Sequence, residues 1–385
     1  MELPVIKRYY ENLGTYKKPN KVLVIYGPRQ VGKTTLVKRF LESCNLRYIY
    51  GNGGDVVVKE VFGGLNLAKI TEYAKGYELV VIDEAQKISN IGEALKLLVD
   101  SVDNIRILVT GSSSFELAGQ VGEPLTGRKV TLTLFPVSLL ELAEQKNKFE
   151  ISQNLEQYLI YGNYPEVLTR ESNKEREEVL SEIINSYLLR DILELDKVKG
   201  SKILLDLLRL LSFQVGSEVS LTEIGGQLGM DRKTIARYLD LFEKAFVIYN
   251  LRGYSRNLRD EIKEKSKYYF YDNGIRNAVI SNFNPTSFRN DIGPLWENFM
   301  FMERMKKRHY LGVGANTFFW RTWGGQEIDL LEEREGRLFA YEFKYKESKT
   351  KPPKKFLEAY PQSSFEVVNK ENYFDFTVGD SNYRD

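Results

Sequence analysis

Gly27-Pro28-Arg29-Gln30-Val31-Gly32-Lys33-Thr34-Thr35 decides how this chain is read. Ahead of it runs Lys21-Val22-Leu23-Val24-Ile25-Tyr26, an apolar run of strand type. After it comes Leu36-Val37-Lys38-Arg39-Phe40-Leu41, whose apolar positions recur at helical spacing. A glycine-rich turn between a buried strand and a helix N-terminus points backbone N–H groups inward, where the helix dipole also favours an anion. The spacing G-x-x-x-x-G-K-T in this strand–turn–helix context is that of a nucleotide phosphate loop. Lys33 would reach the β- and γ-phosphates of ATP, and the Thr34 hydroxyl would ligate Mg2+.

Working outward, Leu46-Arg47-Tyr48-Ile49-Tyr50 reads as a second strand. Leu79-Val80-Val81-Ile82-Asp83-Glu84 sets four apolar residues before two carboxylates. A strand buried in a parallel sheet is such a continuous run, and ligands of open α/β sheets bind at the carboxyl ends of the strands. Asp83 would hold the water shell of Mg2+, and Glu84 would orient the attacking water. The plainer alternative is a pair of acids capping a helix from Gln86 to Leu98. Arg106-Ile107-Leu108-Val109 then leads into Thr110-Gly111-Ser112-Ser113-Ser114. A polar side chain there can touch the γ-phosphate or the water. Ser112 is the choice, with Thr110 and the other serines competing, against a serine-rich turn that merely caps the helix of 115–118.

A chain of 385 residues exceeds what one hydrophobic core supports, which predicts two to four domains. With 42% hydrophobic and 28% charged residues the composition is that of a soluble globular protein. A net charge of +2 means that any nucleic-acid contact must come from local basic patches. Cys44 is the sole cysteine and His309 the sole histidine, which argues against disulfides, cysteine-cluster metals and serine–histidine catalysis. His309 reads as a solvated helix end. There is no run of about 18 apolar residues, and Met1-Glu2-Leu3-Pro4 does not open a signal peptide. The expectation is a cytoplasmic protein with no membrane partner.

Leu125-Thr126-Gly127-Arg128-Lys129 precedes a fifth strand, Val130 to Pro136. The phosphate loop (Walker A), the VVIDEAQ box (Walker B), VTGSSS, LTGRK and FPVSLLEL in this order resemble a prokaryotic AAA+-type ATPase fused to a C-terminal domain of unnamed function. The resemblance covers essentially the whole chain. It implies a P-loop α/β core with a helical lid, a sensor at Ser112, and Arg128 as a candidate arginine finger. Such a finger is worth about 10³ to 10⁵ in rate. If it acts on a neighbour, the protein is a homo-oligomer such as a ring. The alternative for Arg128 is a surface ion pair.

The divisions read from the sequence are 1–20, a short helix beside the nucleotide pocket; 21–141, the ATPase core; 142–200, a helical lid turning at Tyr161 to Pro165; 201–271, a winged helix; and 272–385, a C-terminal α/β domain. In the lid Arg190 is either a second nucleotide sensor or a partner of Asp191. Residues 221–229 and 232–245, joined at Met230-Asp231, carry a helix-turn-helix signature, with strands at 247–251 and 267–271 as the wing. Arg232, Lys233, Arg237, Arg252, Arg256 and Arg259 could meet DNA phosphates, although Asp231, Asp240, Asp260 and Glu261 are interleaved with them.

In the last region an amphipathic helix, Leu295 to Met302, carries Glu297. Strands follow at Thr317 to Arg321, Glu327 to Leu331 and Arg337 to Lys344. Alternation puts Glu342 and Lys344 on one face, with Asp329 beside them if the hairpin pairs normally. Two carboxylates could bind Mg2+ while Lys344 steadies a phosphate. The pattern resembles the PD-(D/E)xK nuclease superfamily. Glu297, Asp329, Glu342 and Lys344 map onto its active positions, Ile328 stands where a proline is usual, and elements at 353–360 and 365–368 complete the order. The lysines from Lys344 to Lys355 either follow a nucleic-acid backbone or form a solvated loop. Three functions follow: a Mg2+-dependent ATPase that rearranges its appended domains on nucleic acid, an ATP-gated DNA nuclease, or a nucleotide-dependent DNA-binding regulator.

Overall fold

The apolar runs that flank the two motifs form a parallel sheet in the computed structural model, which describes residues 6–112, 124–188, 201–254, 266–322 and 324–379. Strands β1 (Lys21–Tyr26), β2 (Tyr48–Asn52), β3 (Leu79–Asp83), β4 (Arg106–Thr110) and β5 (Lys129–Thr133) lie in the order β2-β3-β4-β1-β5, all parallel. Side chains alternate between two cores. Val22, Val24, Val80, Ile82, Ile107 and Val109 face one apolar layer, and Leu23, Ile25, Leu79, Val81 and Leu108 face the other. Helices α1 (Lys33–Glu42), α2 (Val56–Gly63), α3 (Leu67–Ala74) and α4 (Ile91–Ser101) supply Leu36, Phe62, Ile70, Leu95 and Leu98 to these layers. Each such aliphatic side chain contributes about 1.5–3 kcal/mol on burial. The P-loop α/β class expected from the sequence is the class observed.

Two local expectations are corrected. The helix expected within residues 1–20 is absent from the described part, where only a 3-10 turn, Leu13–Thr15, forms. The chain instead stays open so that buried Arg8 reaches Val31, Phe135 and Glu141. The helix expected at Gln86–Leu98 is a 3-10 turn (Ala85–Lys87) followed by α4, because Asn90 takes a left-handed φ of 56° and breaks the run.

Helices α5 (Leu139–Leu142), α6 (Lys148–Gln153), α7 (Leu155–Tyr161), α8 (Pro165–Thr169) and α9 (Asn173–Glu182) form the helical region. Ser138, Asn147 and Ser172 each close a capping box with a glutamate three residues on. A π-helical turn, Ile183–Leu188, follows. Arg190, Asp191, Arg256, Arg259, Asp260, Glu261 and the helix expected at 115–118 lie outside the described residues.

Next come α10 (Ser201–Phe213), β6 (Glu218–Val219), α11 (Leu221–Leu228), α12 (Arg232–Lys244), β7 (Ile248–Gly253), β8 (Ser266–Phe270), α13 (Asn273–Val279) and α14 (Ile292–Leu311). Asp231 accepts from Lys233 N and Thr234 N and so starts α12. Strands β9 (Asn316–Arg321), β10 (Glu327–Arg334), β11 (Arg337–Phe343) and β12 (Ser364–Val368), with α15 (Lys354–Ala359) and α16 (Tyr373–Thr377), complete the chain. The two long strands expected as a wing, β7 and β8, do not form a sheet of their own. β7 pairs parallel with β9, which makes one seven-stranded sheet, β12-β11-β10-β9-β7-β8-β6, across the expected boundary at 271/272.

Candidate functional site: a phosphate loop and a second carboxylate centre

The loop between β1 and α1 is held in a conformation that only its glycines allow. Gly27 has φ 147°, and a Cβ there would lie 2.1 Å from the Leu134 carbonyl oxygen. Gly32 precedes α1 at φ 92°, and Gln30 is left-handed at φ 61°. Val31 is fully buried and anchors the loop from below. Lys33 Nζ donates to the carbonyls of Gly27 and Pro28, each at 2.7 Å, so it lies folded along the inner rim of the loop. Arg29, Gln30, Gly32, Lys33, Thr34, Thr35 and Glu84 line a cavity of about 780 Å³, closed on its far side by Ile6, Phe40, Pro165 and Thr169. A volume of that order suits a nucleotide-sized ligand.

Three hydroxyls converge on Asp83 at the end of β3. Thr34 Oγ1 donates to Asp83 Oδ2 at 2.8 Å, Tyr50 Oη donates to the same oxygen at 3.0 Å, and Thr110 Oγ1 donates to Oδ1. A hydroxyl that lines the cavity and the carboxylate beside it fit a Mg2+ ion, which Thr34 and Asp83 would hold. Thr110 also accepts from Glu84 N at 3.1 Å. The strand-end polar residue joined to the acidic pair is therefore Thr110, the competitor of Ser112 in the sequence reading. Ser112 is buried two residues further on.

Glu84 is left-handed, at φ 54°, a costly conformation for a residue with a Cβ. The turn is packed tightly: a Cβ at Gly53 would lie 2.3 Å from the Glu84 carbonyl oxygen. The Glu84 carboxylate is paired with Lys87 at 2.8 Å.

Behind the loop, Arg8 donates to the Val31 carbonyl, to Phe135 O at 2.6 Å and to Glu141 Oε1 at 2.9 Å. Burial pushes the Glu141 carboxyl up, but the charge and hydrogen bond of Arg8 outweigh it and hold it below its ordinary value. On the far side Tyr310 of α14 accepts from Phe135 N and stacks on Tyr9. No motif pointed to Arg8 or Tyr50. Arg128 is not brought to Lys33 and Glu84. It lies just before β5, at the sheet end opposite the loop, with Nε 2.8 Å from Asp100 Oδ1.

The second constellation does assemble. Lys344 Nζ is 2.6 Å from Glu342 Oε1, and Asp329 Oδ2 accepts from Phe343 N at 2.8 Å. A bulge between Ile328 and Leu331 lets both enter the same apolar layer although they are three residues apart. Glu297, in the second turn of α14, accepts from Tyr269 Oη at 2.7 Å. The sequence reading missed the residue at the middle. Lys267 of β8, 1% exposed, has its ammonium 3.5 Å from Glu297 Oε1, 3.9 Å from Asp329 Oδ1 and in contact with Glu327. Burial pushes the Glu297 carboxyl up to about 8, reinforced by Asp329 and opposed by Lys267. Burial pulls the Lys267 ammonium down, and the three carboxylates more than reverse it. An ammonium among these oxygens does not fit a donor set for a divalent ion. No group of three or more His, Cys, Asp or Glu among the described residues is arranged to hold one.

Residues 19–143 match the family model of an AAA domain, residues 152–286 a domain of unknown function (DUF8612), and residues 292–383 another (DUF4143). An uncharacterized protein of Haemophilus influenzae is 29% identical over 329 residues, which is 80% of this chain and 80% of that one. One from Methanocaldococcus jannaschii is 27% identical over 336 residues, 81% of this chain and 72% of that one. Among solved structures, a Walker-type ATPase of Pyrococcus abyssi aligns with a TM-score of 0.44 at 15% identity, over 67% of this chain and 91% of that one. The parallel sheet, the loop geometry and the AAA match make residues 19–143 a P-loop domain of the AAA ATPase type. No helix among the described residues is long and apolar enough to cross a membrane.

Proposed function

We propose that the chain binds ATP with Mg2+ at Gly27–Thr35 and hydrolyses it, and that hydrolysis rearranges the appended C-terminal half. The observation that carries this is the hydrogen bond from Thr34, which lines the cavity, to Asp83 at 2.8 Å, with Glu84 lining the same space. Lys33 leaves the Gly27 and Pro28 carbonyls to take the β- and γ-phosphates, at no cost in loop geometry because the glycines hold the turn. Glu84 exchanges Lys87 for the attacking water and orients it in line with the γ-phosphate. Thr110 keeps Glu84 and Asp83 in register by bonding to both. Mg2+, when bound, supplies neutralisation of charge on the phosphates. Arg128 lies too far from its own loop to serve it, so as a finger it would act on a neighbouring copy in a homo-oligomer. Glu84→Gln tests the reading: it should bind ATP with near-normal affinity while phosphate release falls by about 10² or more. Unchanged release would end the assignment of Glu84.

A second reading, contact with DNA through the appended half, is favoured by Arg232, Lys233 and Arg237, which lie exposed on α12. The helix–strand–strand–strand–helix–strand order from α14 to β12 also supports kinship with the PD-(D/E)xK fold. Replacing the three basic residues with alanine should weaken binding to duplex DNA and flatten its salt dependence by about one to three charges. Salt-insensitive binding, or none, would remove this reading.

A further inference from the structure

Lys267 and Tyr269 are two residues apart on β8 and therefore share a face of the sheet. Both turn to Glu297, the tyrosine as hydrogen-bond donor and the lysine with its ammonium 3.5 Å from the same oxygen. Lys267 also spans the sheet from the wing side to Glu327 and Asp329 on β10, crossing the Phe319 ring at 5.4 Å. We propose that Lys267 is the resident cation of the C-terminal carboxylate centre, filling the place between Glu297, Glu327 and Asp329 that a divalent ion would need, so that the centre excludes metal and ties the wing strand to the C-terminal fold.

Space and charge both oppose a divalent ion in this place. A divalent ion such as Mg2+ needs oxygens at about 2.0–2.1 Å around it. Here most of the converging oxygens are already engaged, and among these carboxylates Glu342 Oε2 alone lies buried without a partner. Glu297 Oε1 takes Tyr269 and Lys267, Asp329 Oδ2 takes Phe343 N, Asp329 Oδ1 and Glu327 face the ammonium, and Glu342 holds Lys344. A metal could take the place between Glu297, Glu327 and Asp329 only by displacing an ammonium that is 1% exposed. That leaves a buried charge without partners, which is strongly disfavoured. The inference stands apart from the ATPase reading. It predicts that the nuclease-like pattern of Asp329, Glu342 and Lys344 does not work as a metal centre in this arrangement.

The test is Mn2+ binding by the full-length, nucleotide-free protein, measured by electron paramagnetic resonance of the free ion. Four proteins are compared: wild type, Asp329→Asn, Lys267→Met and the double variant. Wild type and Asp329→Asn should bind the same number of ions, because Asp329 holds none. Lys267→Met should gain about one Mn2+ per chain, and the double variant should lose it. The inference is overturned if Asp329→Asn binds one ion fewer than wild type, or if folded Lys267→Met gains none. Should Lys267→Met not fold, the comparison of wild type with Asp329→Asn still decides.

Discussion

Tyr50 Oη donates to Asp83 Oδ2 at 3.0 Å from β2, the edge strand beside β3. The tyrosine thus shares one carboxylate oxygen with Thr34 and orients it towards the cavity. A hydrogen bond to a charged group contributes about 1.5–3 kcal/mol. Tyr50→Phe should therefore raise the Mg2+ concentration needed for half-maximal phosphate release by about tenfold, with little change in secondary structure. An unaltered Mg2+ titration would show that Tyr50 does not position Asp83.

Thr110 and Ser112 can be separated by the same assay. Thr110 bonds both to Asp83 and to the backbone of Glu84, so Thr110→Val removes two contacts that align the acidic pair. Its kcat should fall by about 10² while ATP affinity changes less. Ser112→Ala should be the milder substitution. The reverse order would return the sensing role to Ser112.

Arg8 and Glu141 form a buried pair at 2.9 Å, with side chains 6% and 0% exposed. Removing one partner of such a pair costs about 3–5 kcal/mol because the other is left charged and buried. Arg8→Met should lower the urea midpoint accordingly and also raise the KM for ATP, since Arg8 bonds to the loop at Val31. Arg8→Lys should not restore stability, because one ammonium cannot reach the acceptors that the guanidinium fork spans.

Gly27→Ala is expected to abolish ATP binding in a calorimetric titration. Its new Cβ would collide with the Leu134 carbonyl, which is fixed in the backbone and cannot yield like a flexible side chain. Circular dichroism should stay close to wild type, because the clash falls on one loop.

Glu297 sets a pH dependence of stability. Its carboxyl rises from an ordinary 4.5 to about 8, first through burial and then through the charge of Asp329. Between these values the folded chain holds a proton that the unfolded chain has released. Stability therefore falls as pH climbs through that window. Glu297→Gln, which carries no titrating proton, should flatten the decline in urea midpoint measured between pH 5 and pH 8. A decline of unchanged slope would place its origin elsewhere.

Much of the nucleotide site was legible because its chemistry is local. The loop lies between one strand and one helix, and Asp83 and Glu84 end an apolar run whose burial in a parallel sheet follows from its composition. The C-terminal strands were legible from alternation, which also set Glu342 and Lys344 on one face, whereas Glu297 on its helix was placed only through the resemblance. The amphipathic helix was read too simply. Glu303, Arg304, Lys306, Lys307 and Arg308 lie beyond the helix read at Leu295 to Met302, and all are buried. Arg304 and Arg308 meet Glu332 at 3.1 and 3.3 Å, and Lys306 meets Glu303 at 2.8 Å. Helical periodicity records which residues share a side, and nothing about partners waiting in another strand.

What the sequence alone determined is the parallel P-loop core, its phosphate loop and acidic pair, and the order of the C-terminal elements. Each is written in the spacing of neighbouring residues. Only the tertiary structure brought Arg8 to Val31, Tyr50 and Thr110 to Asp83, and Lys267 to Glu297 and Asp329, and only it joined β8 and β7 to the C-terminal strands through β9. These groups lie tens of residues apart in the chain. Their meeting depends on sheet order and on the demand that a buried charge find a partner, which no local pattern encodes.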